Sequence, residues 1–176
     1  MRVAVFGGSF NPPHVGHAMV AGWLTWTDRV DEVWLVPTLS HAFEKALAPF
    51  ERRLAACEAL AAAVGPRVKV SPIEAELPTP SFTINTLEAL AARHSEHRFH
   101  FVVGADNLGS FAKWRAWDRI AAEFAPIVVG RGELTVEGAP SFPDVSSTEV
   151  RRRLAAGEPV DAFVPRAVLE AWRGAY

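Results

Sequence analysis

The chain has 176 residues, of which 49% are hydrophobic and 22% are charged, and this length suits one compact domain with a substantial core. Its 18 basic and 20 acidic residues give a net charge of -2, which argues against a non-specific nucleic-acid binder because such proteins need a basic excess. No apolar stretch reaches membrane-spanning length, and the first residues lack the pattern of a signal peptide. The single cysteine, Cys57, cannot form an internal disulfide. We therefore expect a cytoplasmic protein without nucleic-acid or membrane partners, in which residues 1–176 form one domain.

Short β-branched runs alternate with alanine-rich stretches of helical spacing along the whole chain. In chain order the predicted elements are strand Arg2–Phe6, helix His17–Thr27, strand Glu32–Val36, helix Pro49–Val64, strand Arg67–Ser71, helix Phe82–His94, strand Arg98–Val103, helix Ala116–Phe124, strand Ile127–Val129, and helices Ser147–Ala156 and Pro165–Trp172. This alternation predicts an α/β fold, a single doubly wound (Rossmann-like) domain with a parallel sheet of five or slightly more strands and helices on both faces. Ligands bind such sheets at the carboxyl ends of strands, so the loops after the first, fourth and fifth predicted strands form the candidate site.

The loop after the first predicted strand carries the strongest functional signal. It reads GGSFNPPHVGH from Gly7 to His17. Its glycines let backbone amides approach a polyanion, and His14 and His17 can face one phosphate at a helix start, where free amides and the helix dipole favour negative charge. The loop has neither the lysine of a Walker A motif nor the third glycine of GxGxxG. A tight turn with surface histidines is the simpler alternative, but the pattern favours phosphate binding.

The segment from Ser146 to Arg151 predicts a second phosphate-binding element. It begins with a serine that can cap the following helix, and it offers the hydroxyls of Ser147 and Thr148 together with the guanidinium of Arg151. An ordinary helix cap followed by a solvated arginine run at residues 151–153 is the alternative.

Two residues at the end of the fourth predicted strand indicate nucleoside binding. Gly104 leaves room for a flat base to pack against the backbone, and Asp106 can accept hydrogen bonds from a ribose or an adenine. The alternative for Asp106 is a helix cap, which is a common use of aspartate after a strand.

These segments together resemble a known family. The loop GGSFNPPHVGH resembles the signature of nucleotidyltransferases in which a Gly-Gly-Ser/Thr-Phe turn precedes an HxGH helix, and the resemblance to bacterial nicotinate-nucleotide adenylyltransferases covers most of the chain. Residues 146–151 are similar to the family's Ser-Ser-Thr-x-x-Arg motif, which holds the ATP phosphates. The resemblance implies catalytic roles for His14, His17 and Arg151. It implies ATP binding by Gly7, Gly8, Ser9, Phe10, Gly16, Gly104, Asp106, Ser147 and Thr148.

The resemblance also implies an acceptor site. Residues 81–87 are similar to the family's Ser-Tyr-Thr-x-Asp-Thr-Leu segment, whose backbone amides help to read the nicotinate carboxylate, with Phe82 replacing the tyrosine and Asn85 the aspartate. Trp114 matches a tryptophan that stacks on the nicotinate ring, although Trp114 and Trp117 could both belong to the core. The implied acceptor-binding residues are Asn11, Phe82, Thr83 and Trp114.

The chain departs most from the family between Val36 and Arg52. The family has a Pro-Pro-His-Lys stretch there, whereas residues 37–45 read PTLSHAFEK. Lys45 can reach a phosphate of ATP as a mobile point charge, and we predict that it does so. A solvated loop lysine is the alternative.

The resemblance implies adenylyl transfer from ATP to nicotinate mononucleotide, which forms deamido-NAD and pyrophosphate. One alternative is the same transfer to nicotinamide mononucleotide or to another phosphate acceptor such as pantetheine phosphate. The other is an ATP-binding protein that has lost transfer activity. We expect Mg²⁺ to enter with ATP, held by phosphate oxygens and water and by no protein side chain. The expected partners are ATP and a pyridine mononucleotide, and a homo-oligomer of this chain is an open alternative.

Overall fold

The computed structural model describes residues 1–40 and 47–174, and within them it contains one parallel sheet of six strands. The strands are β1 (Arg2–Gly8), β2 (Glu32–Pro37), β3 (Val68–Val70), β4 (Arg98–Gly104), β5 (Ile127–Arg131) and β6 (Ser141–Phe142). Their spatial order is β3-β2-β1-β4-β5-β6, and every neighbouring pair is parallel. The strand order reverses between the neighbours β1 and β4, so a crevice for a ligand is expected at the carboxyl ends of these two strands.

Helices cover both faces of the sheet. They are α1 (Val15–Trp26), α2 (Phe50–Val64), α3 (Thr83–Arg93), α4 (Trp117–Phe124), α5 (Ser147–Ala156) and α6 (Arg166–Gly174), with 3₁₀ segments at Ile73–Glu76 and Ala105–Lys113. One core, which includes Ala4 of β1, packs α1, α2, α5 and α6 against one face. The other core, which includes Val3 and Val5 of the same strand, packs α3 and α4 against the opposite face. Successive side chains of a strand point to opposite faces, so one apolar strand serves both cores.

This architecture confirms the predicted doubly wound α/β fold and changes some of its boundaries. Helix α1 begins at Val15 instead of His17, so His14 is its N-cap residue and His17 lies in its first turn. Strand β6 has 2 residues, too few for a recognisable alternation, and the sequence does not predict it. Ser146 lies after the fifth strand in the chain, as predicted, and β6 lies between the two.

No helix in the described ranges is long and apolar enough to span a membrane.

Cys57 lies in the core between α2 and the sheet with 0% of its surface exposed, and burial raises the pKa of its thiol above the ordinary value. The thiol is therefore protonated and shielded from solvent in the folded protein.

Candidate active site

A cavity of about 670 Å³ opens at the carboxyl ends of the central strands. Its wall includes Gly7 and Gly8 of β1, Gly104 of β4 and Arg131 of β5, together with residues at the beginnings of α1, α3 and α5. A cavity of this size accommodates a cofactor-sized ligand. It lies where the rule on strand ends places a ligand in a doubly wound sheet.

Most of the predicted site residues line this cavity. They are Gly7, Gly8, Ser9, Phe10, His14, Gly16, His17, Phe82, Thr83, Gly104, Asp106, Trp114, Ser147 and Thr148. Asn11 and Arg151 instead line a neighbouring groove. Lys45 is outside the described residues, so its contact with ATP stays a prediction.

The first loop holds its two histidines against each other at the start of α1. Their ring centroids are 3.8 Å apart, and the backbone N–H of His14 donates to Nδ1 of His17 at 3.1 Å. A Cβ on Gly16 would lie 3.1 Å from the His14 ring, which is closer than an ordinary van der Waals contact, so a larger residue at position 16 would press on that ring. Phe10, whose backbone has a φ of 44°, places its buried ring 4.8 Å from the ring of His17. Because Nδ1 of His17 is an acceptor, the proton of the neutral ring is on Nε2.

Burial keeps both histidines neutral in the free protein. Desolvation, with a contribution from the positive charge of Arg131, lowers the pKa of His14 to about 4. Desolvation, followed by the neighbouring His14 and by Arg131, holds the pKa of His17 well below its ordinary value. Near neutral pH the two rings are therefore uncharged hydrogen-bonding groups, and a bound polyphosphate would raise both pKa values.

The N-terminus of α5 is bonded directly to the first loop. Ser146 caps the helix by accepting a hydrogen bond from a first-turn backbone N–H at 3.1 Å. Ser147 Oγ donates to the Pro12 carbonyl at 2.8 Å, and the Arg151 guanidinium donates to the Asn11 carbonyl at 2.7 Å. The two segments predicted to bind phosphate are thus one assembled unit.

Asn11 and Arg151 support this unit from beside the cavity. The Asn11 side chain is 2% exposed, and its Oδ1 accepts a hydrogen bond from the backbone N–H of Ala48 at 3.1 Å. Asn11 thus lies outside the cavity and holds the backbone before α2, and its predicted contact with the acceptor stays a prediction. The Arg151 guanidinium lies 3.4 Å from the hydroxyl of Thr148, which does line the cavity.

Arg131, at the end of β5, is a site residue that the sequence analysis missed. Its Nη1 pairs with Asp106 Oδ2 at 3.2 Å, its Nε pairs with Asp144 Oδ1 at 2.9 Å, and its Nη2 donates to the Val145 carbonyl at 3.0 Å. Arg131 therefore connects the end of β4 with the segment that leads into α5. The sequence shows only that this arginine comes shortly after a predicted strand. A solvated arginine in a loop would give the same pattern.

Asp106 occupies the space that Gly104 leaves open. A Cβ on Gly104 would collide with Oδ1 of Asp106. The space that the missing Cβ leaves is thus filled by a carboxylate of the protein itself, and the packing of a flat base against Gly104 stays a prediction. The other carboxylate oxygen pairs with Arg131, so Asp106 is held in a fixed position on the cavity wall.

Another part of the cavity wall is aromatic and positively charged. The ring centroid of Trp114 is 5.7 Å from that of Phe101, and its Nε1 donates to Ser110 Oγ at 3.3 Å. Phe82 is the N-cap residue of α3, and the guanidinium carbon of Arg115 lies 4.9 Å from the centroid of its ring. Trp114 packs against the core and also lines the cavity, and its stacking on the ring of an acceptor stays a prediction.

Two buried charged side chains hold the backbone that follows β2. Arg53, 1% exposed, donates to the carbonyls of Ser9 at 3.0 Å and Thr38 at 2.7 Å. Glu74, 6% exposed, accepts a hydrogen bond from the backbone N–H of Leu39 at 3.2 Å. The carbonyl of Thr38 is therefore held by Arg53, and the backbone N–H of Leu39 is held by Glu74.

The carboxylates of the cavity wall are already bonded to protein groups. Among the described residues that line the cavity they are Glu74 and Asp106, bonded to Leu39 and Arg131 respectively. Within the described ranges, a cluster with the spacing of metal ligands occurs away from the cavity, before β4, and consists of His94, Glu96 and His97. The entry of Mg²⁺ with ATP, held by phosphate oxygens and water, stays a prediction.

The fold and the site together define a nucleotidyltransferase. The paired histidines of an HxGH sequence lie at the start of α1, beside the strand-order reversal, and are joined to the Ser-Ser-Thr start of α5. Residues 5–153 match the family described as Cytidylyltransferase-like.

Curated relatives narrow this class. A protein from Anaeromyxobacter sp. (strain K) named as a probable nicotinate-nucleotide adenylyltransferase is 54% identical over 172 residues, which cover 96% of this chain and 91% of that protein. A protein of the same name from Myxococcus xanthus is 41% identical, and the alignment covers 94% of this chain and 88% of the relative. The chain belongs to the Cytidylyltransferase-like family and, within it, to the nicotinate-nucleotide adenylyltransferases.

Solved structures share the fold. The Plasmodium falciparum nicotinic acid mononucleotide adenylyltransferase complexed with NaAD aligns with a TM-score of 0.79 at 18% identity, covering 97% of this chain and 93% of that chain. The same enzyme complexed with APC aligns with a TM-score of 0.75 at 17% identity and with the same coverage. At these identities the likeness shows the fold alone.

Proposed function

We propose that the chain transfers the adenylyl group of ATP to nicotinate mononucleotide and so produces deamido-NAD and pyrophosphate in NAD biosynthesis. The observation that carries this proposal is one cavity lined both by the His14/His17 pair with the start of α5 and by Trp114 with the start of α3. The first group suits a triphosphate, and the second suits a flat aromatic ring. The name of the 54% identical relative supports the same acceptor.

The transfer needs no general base. The attacking oxygen belongs to the phosphate of the acceptor, which is already ionised near neutral pH. The protein has to align this oxygen with the α-phosphorus and to neutralise the charge that develops on the phosphates. The groups for this task are the imidazoles of His14 and His17, the amides of the first loop, and the Thr148 hydroxyl with Arg151 beside it.

Magnesium enters as part of the substrate, MgATP. Mg²⁺ prefers oxygen ligands and keeps several waters, so phosphate oxygens and water hold it without a protein carboxylate. The engagement of Glu74 and Asp106 with other protein groups supports this arrangement. When bound, the ion neutralises negative charge on the departing pyrophosphate.

Asp106 is the candidate ligand of the ATP ribose. Arg131 holds one carboxylate oxygen, while the carboxylate as a whole lies at the cavity wall beside Gly104. A carboxylate with several lone pairs can accept hydrogen bonds from ribose hydroxyls in addition to those from arginine.

We further propose a cytoplasmic location, where the Cys57 thiol stays reduced.

The deciding experiment measures pyrophosphate release from MgATP with nicotinate mononucleotide, nicotinamide mononucleotide and phosphopantetheine in parallel. We expect release with nicotinate mononucleotide well above the other two. A higher rate with the amide contradicts the proposed acceptor. If folded protein that binds ATP in calorimetry releases no pyrophosphate with any of the three acceptors, the result contradicts the transfer and favours an ATP-binding protein without transfer activity.

A further inference from the structure

Two cations flank Trp114 in the cavity wall. Lys113 and Arg115 both line the cavity and are exposed, and neither is paired with a carboxylate of the described chain. By contrast, Arg131 is paired with two aspartates. Because Glu74 is bonded to its own partners, the cavity beside Trp114 has positive charge that no anion among the described residues pairs with.

The Arg115 guanidinium is oriented by an aromatic surface. Its central carbon lies 4.9 Å from the centroid of the Phe82 ring, which is the distance of a cation–π contact. Such a contact uses the flat face of the guanidinium and leaves the N–H groups at its edge for a ligand. Phe82 is the N-cap of α3, and the first residue of that helix, Thr83, lines the same cavity. The guanidinium is thus placed beside the segment that would contact the acceptor ring.

We propose that the Arg115 side chain selects the acid over the amide form of the acceptor, by pairing its guanidinium with the carboxylate on the pyridine ring. This inference rests on the proposed function and deepens it. A carboxylate offers a negative charge and two acceptor oxygens, which match the forked donors of arginine. A carboxamide has no charge, so the guanidinium attracts it less than a carboxylate. Its NH₂ group is also a hydrogen-bond donor and would face the N–H donors of the guanidinium without an acceptor between them.

Lys113 is the matched comparison for this role. It carries the same charge, lies two positions away and lines the same cavity, but no aromatic ring among the described residues fixes its ammonium group. Lysine is a flexible point charge and lacks the planar fork that distinguishes two oxygens from an amide. The proposal therefore assigns selection to Arg115 and only a general electrostatic contribution to Lys113.

The test compares Arg115→Met, Arg115→Lys and Lys113→Met with the unaltered chain. The measured quantities are kcat and KM for nicotinate and nicotinamide mononucleotide at saturating MgATP, and the KM for ATP. For Arg115→Met we expect the acid-to-amide ratio of kcat/KM to fall by about tenfold or more, through a higher KM for the acid. The KM for ATP should stay within about twofold, and Arg115→Lys should recover part of the ratio. Circular dichroism checks that each variant is folded.

Two outcomes overturn the proposal. One is an equal loss with both acceptors in Arg115→Met, which means that the side chain only supports the wall. The other is a fall of the ratio in Lys113→Met as large as that in Arg115→Met, which means that net charge alone selects the acid.

Calorimetric titration with each mononucleotide separates this proposal from the proposed function. If the unaltered chain releases no pyrophosphate with either acceptor, the proposed function fails, but the titrations still decide the role of Arg115. A loss of about tenfold in affinity for nicotinate mononucleotide alone in Arg115→Met supports selection. Unchanged affinity for both mononucleotides overturns it.

Discussion

In the first loop, the backbone decides which atom of each histidine ring is available to a substrate. The His14 N–H occupies Nδ1 of His17, so the remaining donor of His17 is Nε2–H. The two rings lie 3.8 Å apart, Gly16 places no Cβ against the His14 ring, and the ring of Phe10 lies 4.8 Å from that of His17. A donor fixed before the substrate binds needs no reorganisation as charge develops on the phosphates.

Removing the His17 imidazole tests this arrangement. We expect His17→Ala to lower turnover with both substrates saturating by at least about tenfold, which corresponds to about 1.4 kcal/mol of transition-state stabilisation. The measurement is the rate of pyrophosphate release. His100→Ala is the control, since His100 lies outside the cavity with Nδ1 3.3 Å from the Ala125 carbonyl. A decrease smaller than about tenfold in His17→Ala contradicts its phosphate role.

The elements around the site are joined by charged groups that hydrogen-bond to backbone atoms. Arg53 extends from α2 to the carbonyls that follow β1 and β2, while Glu74, from the 3₁₀ segment before α3, takes the adjacent amide of Leu39. The ends of two neighbouring strands are therefore fixed relative to each other. This fixes the base of the cavity at the point where the first loop begins.

Arg53→Met should destabilise the fold because it leaves the half-buried carbonyls of Ser9 and Thr38 without this donor. A buried polar group without its hydrogen-bond partner costs about 1–3 kcal/mol, so for these two half-buried carbonyls we expect a decrease of about 2 kcal/mol in the free energy of unfolding, measured by urea denaturation. Arg93→Met, which loses the exposed ion pair with Glu76, is the control and should change the free energy much less. Similar decreases in both variants would show that the carbonyl contacts of Arg53 contribute little.

The sequence predicts what depends on neighbouring residues and misses what depends on distant ones. The alternation of strands and helices is a local pattern, and so are the two segments predicted to bind phosphate; the structure contains the alternation and places residues of both segments in the cavity wall. Arg131 and Asp106 are paired across 25 positions, and no local pattern marks such a contact. The missing Cβ of Gly104 is visible in the sequence, but the group that fills the space is not. For Asn11 the motif predicts a ligand contact, whereas the folded chain uses the side chain to hold Ala48.

At the scale of the whole molecule, the buried histidines make stability depend on pH. The pKa of His14 is about 4 in the folded chain against 6.5 for an unperturbed histidine, and that of His17 is lowered as well. Above pH 6.5 neither state binds these protons, so the stability is fully present there. As the pH falls from 6.5 toward 4, the unfolded chain binds protons that the folded chain does not, and stability is lost.

We therefore expect the free energy of unfolding to be lower at about pH 5 than at about pH 7.5, by about 2 kcal/mol from His14 alone. Carboxylates such as Glu149, whose pKa is lowered to about 2 by hydrogen bonds from Arg152 and Arg153, lose their contribution at lower pH than this. Urea denaturation at the two pH values measures the difference. The double variant His14→Asn/His17→Asn should show a smaller decrease, and an undiminished decrease would assign the effect to other groups.

Because Cys57 is buried, the rate at which its thiol is chemically labelled can report how often the folded chain opens. Since the thiol is protonated and out of reach in the folded state, a maleimide can label it only when α2 separates from the sheet. With excess reagent, the labelling rate then follows the opening of the core and is insensitive to surface chemistry. MgATP should slow the labelling, because a ligand that binds only the folded state lowers the population of open molecules. The affinity for each nucleotide can thus be read by mass spectrometry of one modified residue, without any turnover.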